Sequence, residues 1–312
     1  MYKRVDKKVR PIDDIPSNGS TPEGSIHWKL NRMGEAQVRV EEQRRINPSE
    51  WDEDFFPKFS TIKKGSRLTP ERLEGILEKV KEVLQPREVT LFTHILYNRE
   101  AALAWNFTEC GRIHNDVFPP QRIRTIPHKA WQSKSIPIPR ALTDKVIELL
   151  RDRVNRGILE ESHAAYRNNW FLVKKKDGGL RLINDAQRIN GVTLRDAFAP
   201  PGCEEFSEDF SGCKILSLLD LFSGYDQIGL DEKSRDLTTF STPIGLFRMC
   251  TLPQGGTNSV AQFMRAMTRI LYDLIPDVCR PYLNDICIKG PRLDYGGSMV
   301  REGIRRYVYE HL

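Results

Sequence analysis

The chain has no Cys-x-x-Cys pair. Cys110, Cys203, Cys213, Cys250, Cys279 and Cys287 are irregularly spaced, which argues against a disulfide framework or a zinc module and for ordinary thiols in a reduced protein. The six histidines are scattered and form no metal-ligand pattern. No apolar run approaches the ~20 residues that cross a bilayer, and Met1-Tyr2-Lys3-Arg4-Val5-Asp6-Lys7-Lys8 lacks the apolar core of a signal peptide. An intracellular protein of cytoplasm or nucleus is therefore expected, neither secreted nor membrane-bound. There is no internal repeat and no low-complexity tract. Apolar residues are few at 39% and charged ones many at 29%, so part of the chain is expected to stay unpacked. The net charge of +6 suits a polyanionic partner, although mild basicity is common among soluble proteins.

Residues 1–68 are polar and punctuated, as in Pro16-Ser17-Asn18-Gly19-Ser20-Thr21-Pro22. They are expected to be disordered or linker, because they bury too little apolar surface to offset chain entropy. The patch Trp51 to Phe59 is too short for a core. Order is expected from Thr69, an N-cap, with Pro70 at the first helical position. Leu73, Ile76, Leu77, Val80, Val83 and Leu84 then recur at helical spacing. A second helix is expected over 88–105, with Leu91, Ile95, Leu96 and Leu103 inward. Residues 69–135 would thus form a small helical segment followed by an extended, Pro-rich connection. A third helix runs from about Thr143 to Arg156, striped by Val146, Ile147, Leu150 and Val154 and stopped by Gly157.

Two hairpins follow. In the first, Trp170-Phe171-Leu172-Val173 and Leu180-Arg181-Leu182-Ile183 flank Asp177-Gly178-Gly179. Its Lys174, Lys175, Lys176 and Arg181 fit either a solvated edge or a cationic flap for a triphosphate. Register decides which of them share a face. In the second, Pro281-Tyr282-Leu283-Asn284-Asp285-Ile286-Cys287-Ile288-Lys289-Gly290 carries a polar pair between β-rich runs. Ile215 to Leu219 is a strand that ends on Asp220. Two carboxylates meeting from separate strands suit Mg²⁺ and a two-metal phosphoryl-transfer site; alternatively, Asn-Asp is simply a good turn dipeptide. Tyr225 fits a platform under a bound sugar or a core aromatic. Leu252-Pro253-Gln254-Gly255-Gly256-Thr257-Asn258-Ser259 is a Gly-rich loop that ends in an N-cap and feeds a helix faced by Phe263, Met264, Met267, Ile270 and Leu271. Such a loop suits anion binding, though Gly-rich helix starts are common.

In this order the blocks resemble one family. Leu172 to Gly178, Arg181, Leu219-Asp220-Leu221, Ser223-Gly224-Tyr225, Phe240, Thr242-Pro243, Gly245, Leu252-Pro253-Gln254-Gly255 and Tyr282-Leu283-Asn284-Asp285 are similar to the reverse transcriptase of gypsy-type long-terminal-repeat retrotransposon polyproteins. Lys289-Gly290-Pro291 and Gly303-Ile304-Arg305-Arg306 point to the fungal kind. The resemblance covers roughly residues 136–312. It implies an α+β fold, a right-hand polymerase palm and fingers without a thumb, behind the small helical segment and a disordered N-terminus. It implies RNA-directed DNA polymerase chemistry: a DNA primer 3′-hydroxyl on an RNA template attacks the α-phosphate of a dNTP. By the resemblance Asp220, Asn284 and Asp285 are the catalytic positions, Asp220 and Asp285 the ligands of two Mg²⁺ ions, for which Mn²⁺ can substitute. Lys175 and Arg181 would grip the triphosphate, Tyr225 would be the steric gate, and Gln254 with Gly255 would line the nucleotide site.

The chain also departs from the family pattern. Asn284 stands where the family has the first Asp of Tyr-x-Asp-Asp, so one formal charge is lost. Val260 replaces a usual Pro, and Gly256 a larger apolar residue. The sequence ends at Leu312, soon after the hairpin, and no Asp-Ser-Gly or Asp-Thr-Gly of an aspartic protease precedes it. A decayed or truncated copy, impaired in activity, is expected. The alternative is a non-catalytic nucleic-acid-binding remnant in which Lys174, Lys175, Lys176, Arg181, Arg265 and Arg269 contact phosphates.

Overall fold

The structure is a computed structural model and describes residues 62–134, 136–174, 179–198 and 200–312. The disorder expected of the N-terminus up to residue 61, and the patch Trp51 to Phe59, lie outside the described residues. So do Lys175, Lys176, Asp177 and Gly178.

Helix α1 (Pro70–Val80) begins where the residue types require: Thr69 is the N-cap, its side chain accepts from the Arg72 N–H, and Pro70 opens the first turn. The helix stops at Val80, so Val83 falls in the following turn and is 52% exposed, not part of the apolar face. Helix α2 (Pro86–Asn98) starts two residues before the expected Glu88, with Pro86 in its first turn, and gives way to a 3-10 turn at Glu100–Ala102 instead of running to Trp105. Ile62 and Leu68 are buried with Leu73 and Tyr97. Ile62 and Leu68, inside the stretch expected to be linker, therefore belong to this small core, while 63–66 between them are exposed.

Helix α3 (Thr143–Asn155) is capped by Arg156, and the chain leaves it at Gly157, whose φ of +63° suits glycine. It lays Val146 and Leu150 on strands β1 (Leu159–Glu161), β2 (Trp170–Lys174) and β3 (Leu180–Asn184). Then come helices α4 (Gln187–Val192) and α5 (Cys203–Phe210), strand β4 (Leu216–Asp220), helix α6 (Glu232–Arg235) and strands β5 (Phe240–Thr242) and β6 (Gly245–Met249). Helix α7 (Ser259–Ile270) precedes β7 (Cys279–Tyr282), β8 (Asp285–Lys289), β9 (Met299–Arg301), β10 (Ile304–Arg305) and α8 (Arg306–His311). One sheet has the order β1-β6-β5, another β4-β8-β7, and β2-β3 and β9-β10 are two-stranded. The core under α3 is Leu159, Trp170, Leu182, Phe240, Phe247 and Met249. A second cluster sets Phe263, Ala266 and Met267 of α7 against Phe118, Ile228 and Leu252. Ile270, expected on that apolar face, is 45% exposed at the end of the helix.

The helical segment is tied to the far end of the chain. Glu88 is fully buried and accepts from the Gln85 N–H at 2.7 Å, the Arg305 N–H at 2.8 Å, and the Arg305 guanidinium at 2.9 Å (Nε) and 2.7 Å (Nη2). Arg87 adds a bond from Nη1 to the Glu302 carbonyl at 2.8 Å. A carboxylate this deep is tolerable only with such a full set of donors.

Candidate active site

Antiparallel pairing of β4 with β8 sets Asp220 directly opposite Asp285, and Tyr282 of β7 pairs with Asp285 from the other side. Residues opposed in a ladder share a face with Cβ atoms ~5 Å apart, and like charges so placed repel. Neither carboxylate has an ion pair or a hydrogen bond to a described side chain. Two unpaired acids facing one another on a solvent-reached strand end are a donor set suited to a hard divalent cation. Among the described residues no group of three or more His, Cys, Asp or Glu is placed to hold a metal. The pair therefore fits a cation held by two carboxylates, not three.

Asn284 lies in the two-residue turn before β8, exposed beside that pair. Sequence reasoning placed the turn at Asn284-Asp285. The structure places it at Leu283-Asn284 and makes Asp285 the first strand residue. Leu283 takes the left-handed conformation, φ +54°, a sparsely populated region for a branched apolar residue. Its N–H points at Met264 Sδ, 3.2 Å away, and the Leu221 N–H donates to the Asn284 carbonyl at 3.1 Å. The turn is thus held between α7 and the end of β4.

After Asp220 the chain turns through Ser223, at φ +51°, into a 3-10 turn, Gly224–Gln227. A Cβ on Gly224 would come 2.6 Å from Phe263 Cε2, so any other residue here would have to displace that ring. Tyr225 stacks on Phe263 with ring centroids 4.8 Å apart, and burial pushes its hydroxyl pKa up. The ring is a core aromatic in this sense, half-buried at the edge of the α7 cluster.

Gln254 is exposed, and Gly255 needs its φ of +90°. Helix α4 holds this loop: Asn190 Nδ2 donates to the Gly255 carbonyl at 2.9 Å and Asn190 Oδ1 accepts from the Thr257 N–H at 2.7 Å. Ser259, expected to cap α7, instead donates its hydroxyl to the Pro253 carbonyl at 2.6 Å, and Asn258 is the cap residue. Arg181 is opposite Val173, and Lys174 is opposite Leu180. Arg181 and Lys174 therefore project from opposite faces of the β2-β3 hairpin. Lys175 is outside the described residues. Of the phosphate-contact candidates, Arg265 is paired with Asp196.

Sequence reasoning missed Arg153, Asn184 and Asp226, which line a recess with Gln254. A signal was available for Arg153: it lies seven residues after Val146 and three after Leu150, on the buried stripe of α3.

Residues 173–294 match the family model described as reverse transcriptase (RNA-dependent DNA polymerase). The retrovirus-related Pol polyprotein from transposon 297 of Drosophila melanogaster is 31% identical over 161 residues, 50% of this chain and 15% of that protein. The corresponding polyprotein from transposon gypsy of the same species is 30% identical over 172 residues, 53% of this chain and 17% of that protein. The chain thus spans less than a fifth of the length of these relatives. The foamy viral protease–reverse transcriptase, solved in complex with an RNA/DNA hybrid, superposes with a TM-score of 0.61 at 18% identity, over 73% of this chain and 30% of that one. At that identity the likeness is one of fold. The mixed helix-and-sheet architecture is that of a polymerase, and residues 173–294 are a reverse transcriptase domain of the kind carried by retrotransposon polyproteins.

Proposed function

We propose that this domain binds an RNA template, a DNA primer and a dNTP, and that its nucleotidyl-transfer site is one carboxylate short. The observation that carries the reading is the register of β4 on β8, which sets Asp220 against Asp285 with Asn284 at the adjoining turn. Asp220 and Asp285 would hold a divalent cation, Mg²⁺ in our reading with Mn²⁺ as a substitute. An ion held by these two carboxylates would supply charge neutralisation to the transferring phosphoryl group and would favour ionisation of the attacking hydroxyl. Asn284 offers a neutral amide oxygen, so two ions would share two nearby carboxylates and their mutual repulsion would be less offset. Loss of one preorganised electrostatic partner commonly costs ~10²–10³ in rate, so extension by this chain is negligible. Arg181, exposed on β3, would meet the triphosphate, and Lys175 would join it from the hairpin tip. Tyr225, packed on Phe263 and adjacent to the strand that ends in Asp220, would floor the sugar. Gln254 and Gly255 would line the nucleotide on a loop that Asn190 fixes. Lys289-Gly290-Pro291 and Gly303-Ile304-Arg305-Arg306 favour the fungal gypsy-type subgroup.

Primer extension on an RNA template in Mg²⁺ or Mn²⁺ tests this, alongside binding of the same template–primer as salt is raised. We expect salt-sensitive binding without measurable extension. Template-dependent synthesis that disappears in Asp220→Ala would overturn the impaired site.

A further inference from the structure

The turn that follows Asp220 is gripped by a segment lying upstream of residues 173–294, the stretch that matches the family model. Phe107 meets Phe222 edge to face, with ring centroids 5.1 Å apart and planes at 64°, a favoured geometry for an aromatic pair. The Arg156 guanidinium lies over the Phe107 ring, 3.6 Å from its centroid, a close cation–π contact. Phe107 is nonetheless 39% exposed, so burial alone does not explain why the ring is held. The Cys110 thiol lies 3.8 Å from the Phe222 carbonyl oxygen, which also accepts from Gln227 Nε2 at 2.8 Å. The Ile113 N–H donates to the Gln227 carbonyl at 3.0 Å. Residues 107–113 thus touch both ends of the turn 222–227.

The gripping segment is itself fixed. Asn106 Oδ1 accepts from the N–H groups of Thr108 and Glu109 at 3.0 and 3.1 Å. Glu109 takes the Trp105 N–H on Oε2 and the Arg72 guanidinium on Oε1, both at 2.8 Å, which ties the bend to α1. Arg112 Nη2 donates to the Arg156 and Gly157 carbonyls at 2.6 and 2.7 Å, which ties it to the end of α3.

The turn needs such support. Ser223 is left-handed at φ +51°, a conformation that a non-glycine residue keeps only where its surroundings over-determine it. Between Asp220 and Phe222, the Leu221 N–H donates to the Asn284 carbonyl at 3.1 Å. A shift of Phe222 is therefore felt at Asp220 and at the turn before Asp285 together. Mg²⁺ demands its oxygens at about 2.0–2.1 Å, so a small displacement of either carboxylate weakens a shared ion. We propose that Phe107, backed by Arg156, is a positioning residue for the Asp220–Asp285 pair: residues 105–113 complete the cation site without supplying a ligand. The inference rests on the cation reading of that pair.

The test titrates Mn²⁺ into the full chain with template–primer, followed by electron paramagnetic resonance. Phe107→Ala should weaken Mn²⁺ binding ~10-fold, the scale of losing a group that orients a ligand. Phe107→Leu, which keeps apolar bulk without the aromatic edge, should show a smaller loss in the same direction. Phe107→Tyr keeps the ring pair and should retain wild-type affinity. Template–primer affinity without metal should not change in any of the three. In the metal-free chain, amide exchange should quicken at Leu221 in Phe107→Ala while β4 and β8 keep their protection. Unchanged Mn²⁺ affinity in Phe107→Ala and Phe107→Leu, with Asp220→Asn losing binding, refutes the positioning role and leaves the cation reading standing. Loss of protection throughout β4 and β8, or equal weakening by Phe107→Tyr, also refutes it. Mn²⁺ binding unaffected by Asp220→Asn refutes both.

Discussion

Replacing Arg305 with Met should destabilise the protein by about 3 kcal/mol. The substitution removes the two guanidinium bonds to the buried Glu88 carboxylate, at 2.9 Å and 2.7 Å. Breaking a buried pair by removing one partner costs ~3–5 kcal/mol. The lower end applies, because the Arg305 side chain is 22% exposed and the backbone N–H groups of Gln85 and Arg305 still reach the carboxylate. For a domain of this size ~3 kcal/mol lowers Tm by roughly 6–12 °C. The effect also has a pH signature. Burial raises the Glu88 pKa, but the Arg305 guanidinium and the two N–H donors more than reverse this, so it lies below the ordinary 4.5. A depressed carboxyl pKa stabilises the fold above the unfolded value, and that stabilisation is lost as pH falls through the folded one. The difference between wild type and Arg305→Met should therefore be full at neutral pH and shrink below pH 4.5. Denaturant melts at several pH values, with Glu88→Gln closing a double-mutant cycle, measure it. A Tm change under ~2 °C, the scale of an exposed pair, would refute the claim that this contact anchors residues 70–98 to the end of the chain.

Three further outcomes follow from the packing. Gly224→Ala forces a methyl group to 2.6 Å from Phe263 and should cost ~1–3 kcal/mol, with a changed tyrosine fluorescence as the Tyr225 stack is displaced. Ser259→Ala removes the buried hydroxyl bond to the Pro253 carbonyl and should cost about 1 kcal/mol, with faster amide exchange confined to the Gly255 loop. Iodoacetamide at pH 8 should label the exposed Cys203 well before Cys250, whose thiol burial pushes up to about 11; equal labelling in the native state would contradict the packing of the residue that follows β6.

What the sequence made legible was local. Thr69 and Pro70 mark a helix start, Gly157 marks a stop, and the β-rich runs flanking turn residues mark the strands of both hairpins, because each signal acts within a few residues. The approach of Asp220 to Asp285 was legible only through the resemblance, since no pattern along the chain states which strands pair. Three features were not legible. The pairing of Arg181 with Val173 depends on turn register, which the sequence leaves free. The left-handed Leu283 runs against residue preference, under which the asparagine would take that conformation. The tie from Glu88 to Arg305 spans 217 residues, and a glutamate in the first turn of a helix ordinarily looks like a solvated favourable charge. Val83 and Ile270 were misplaced for a plainer reason: each continues an apolar rhythm into the last turn of a helix or past its end, where burial no longer follows it.

The central claim is that Asp220 and Asp285 act as one cation site that Asn284 leaves a charge short. Mn²⁺ binding followed by electron paramagnetic resonance on the template–primer complex measures it without requiring turnover. Wild type should bind Mn²⁺ weakly, Asp220→Asn should lose binding, and Asn284→Asp should gain at least ~10-fold in affinity. Mn²⁺ affinity unchanged by both substitutions would mean that the two carboxylates do not form a metal site.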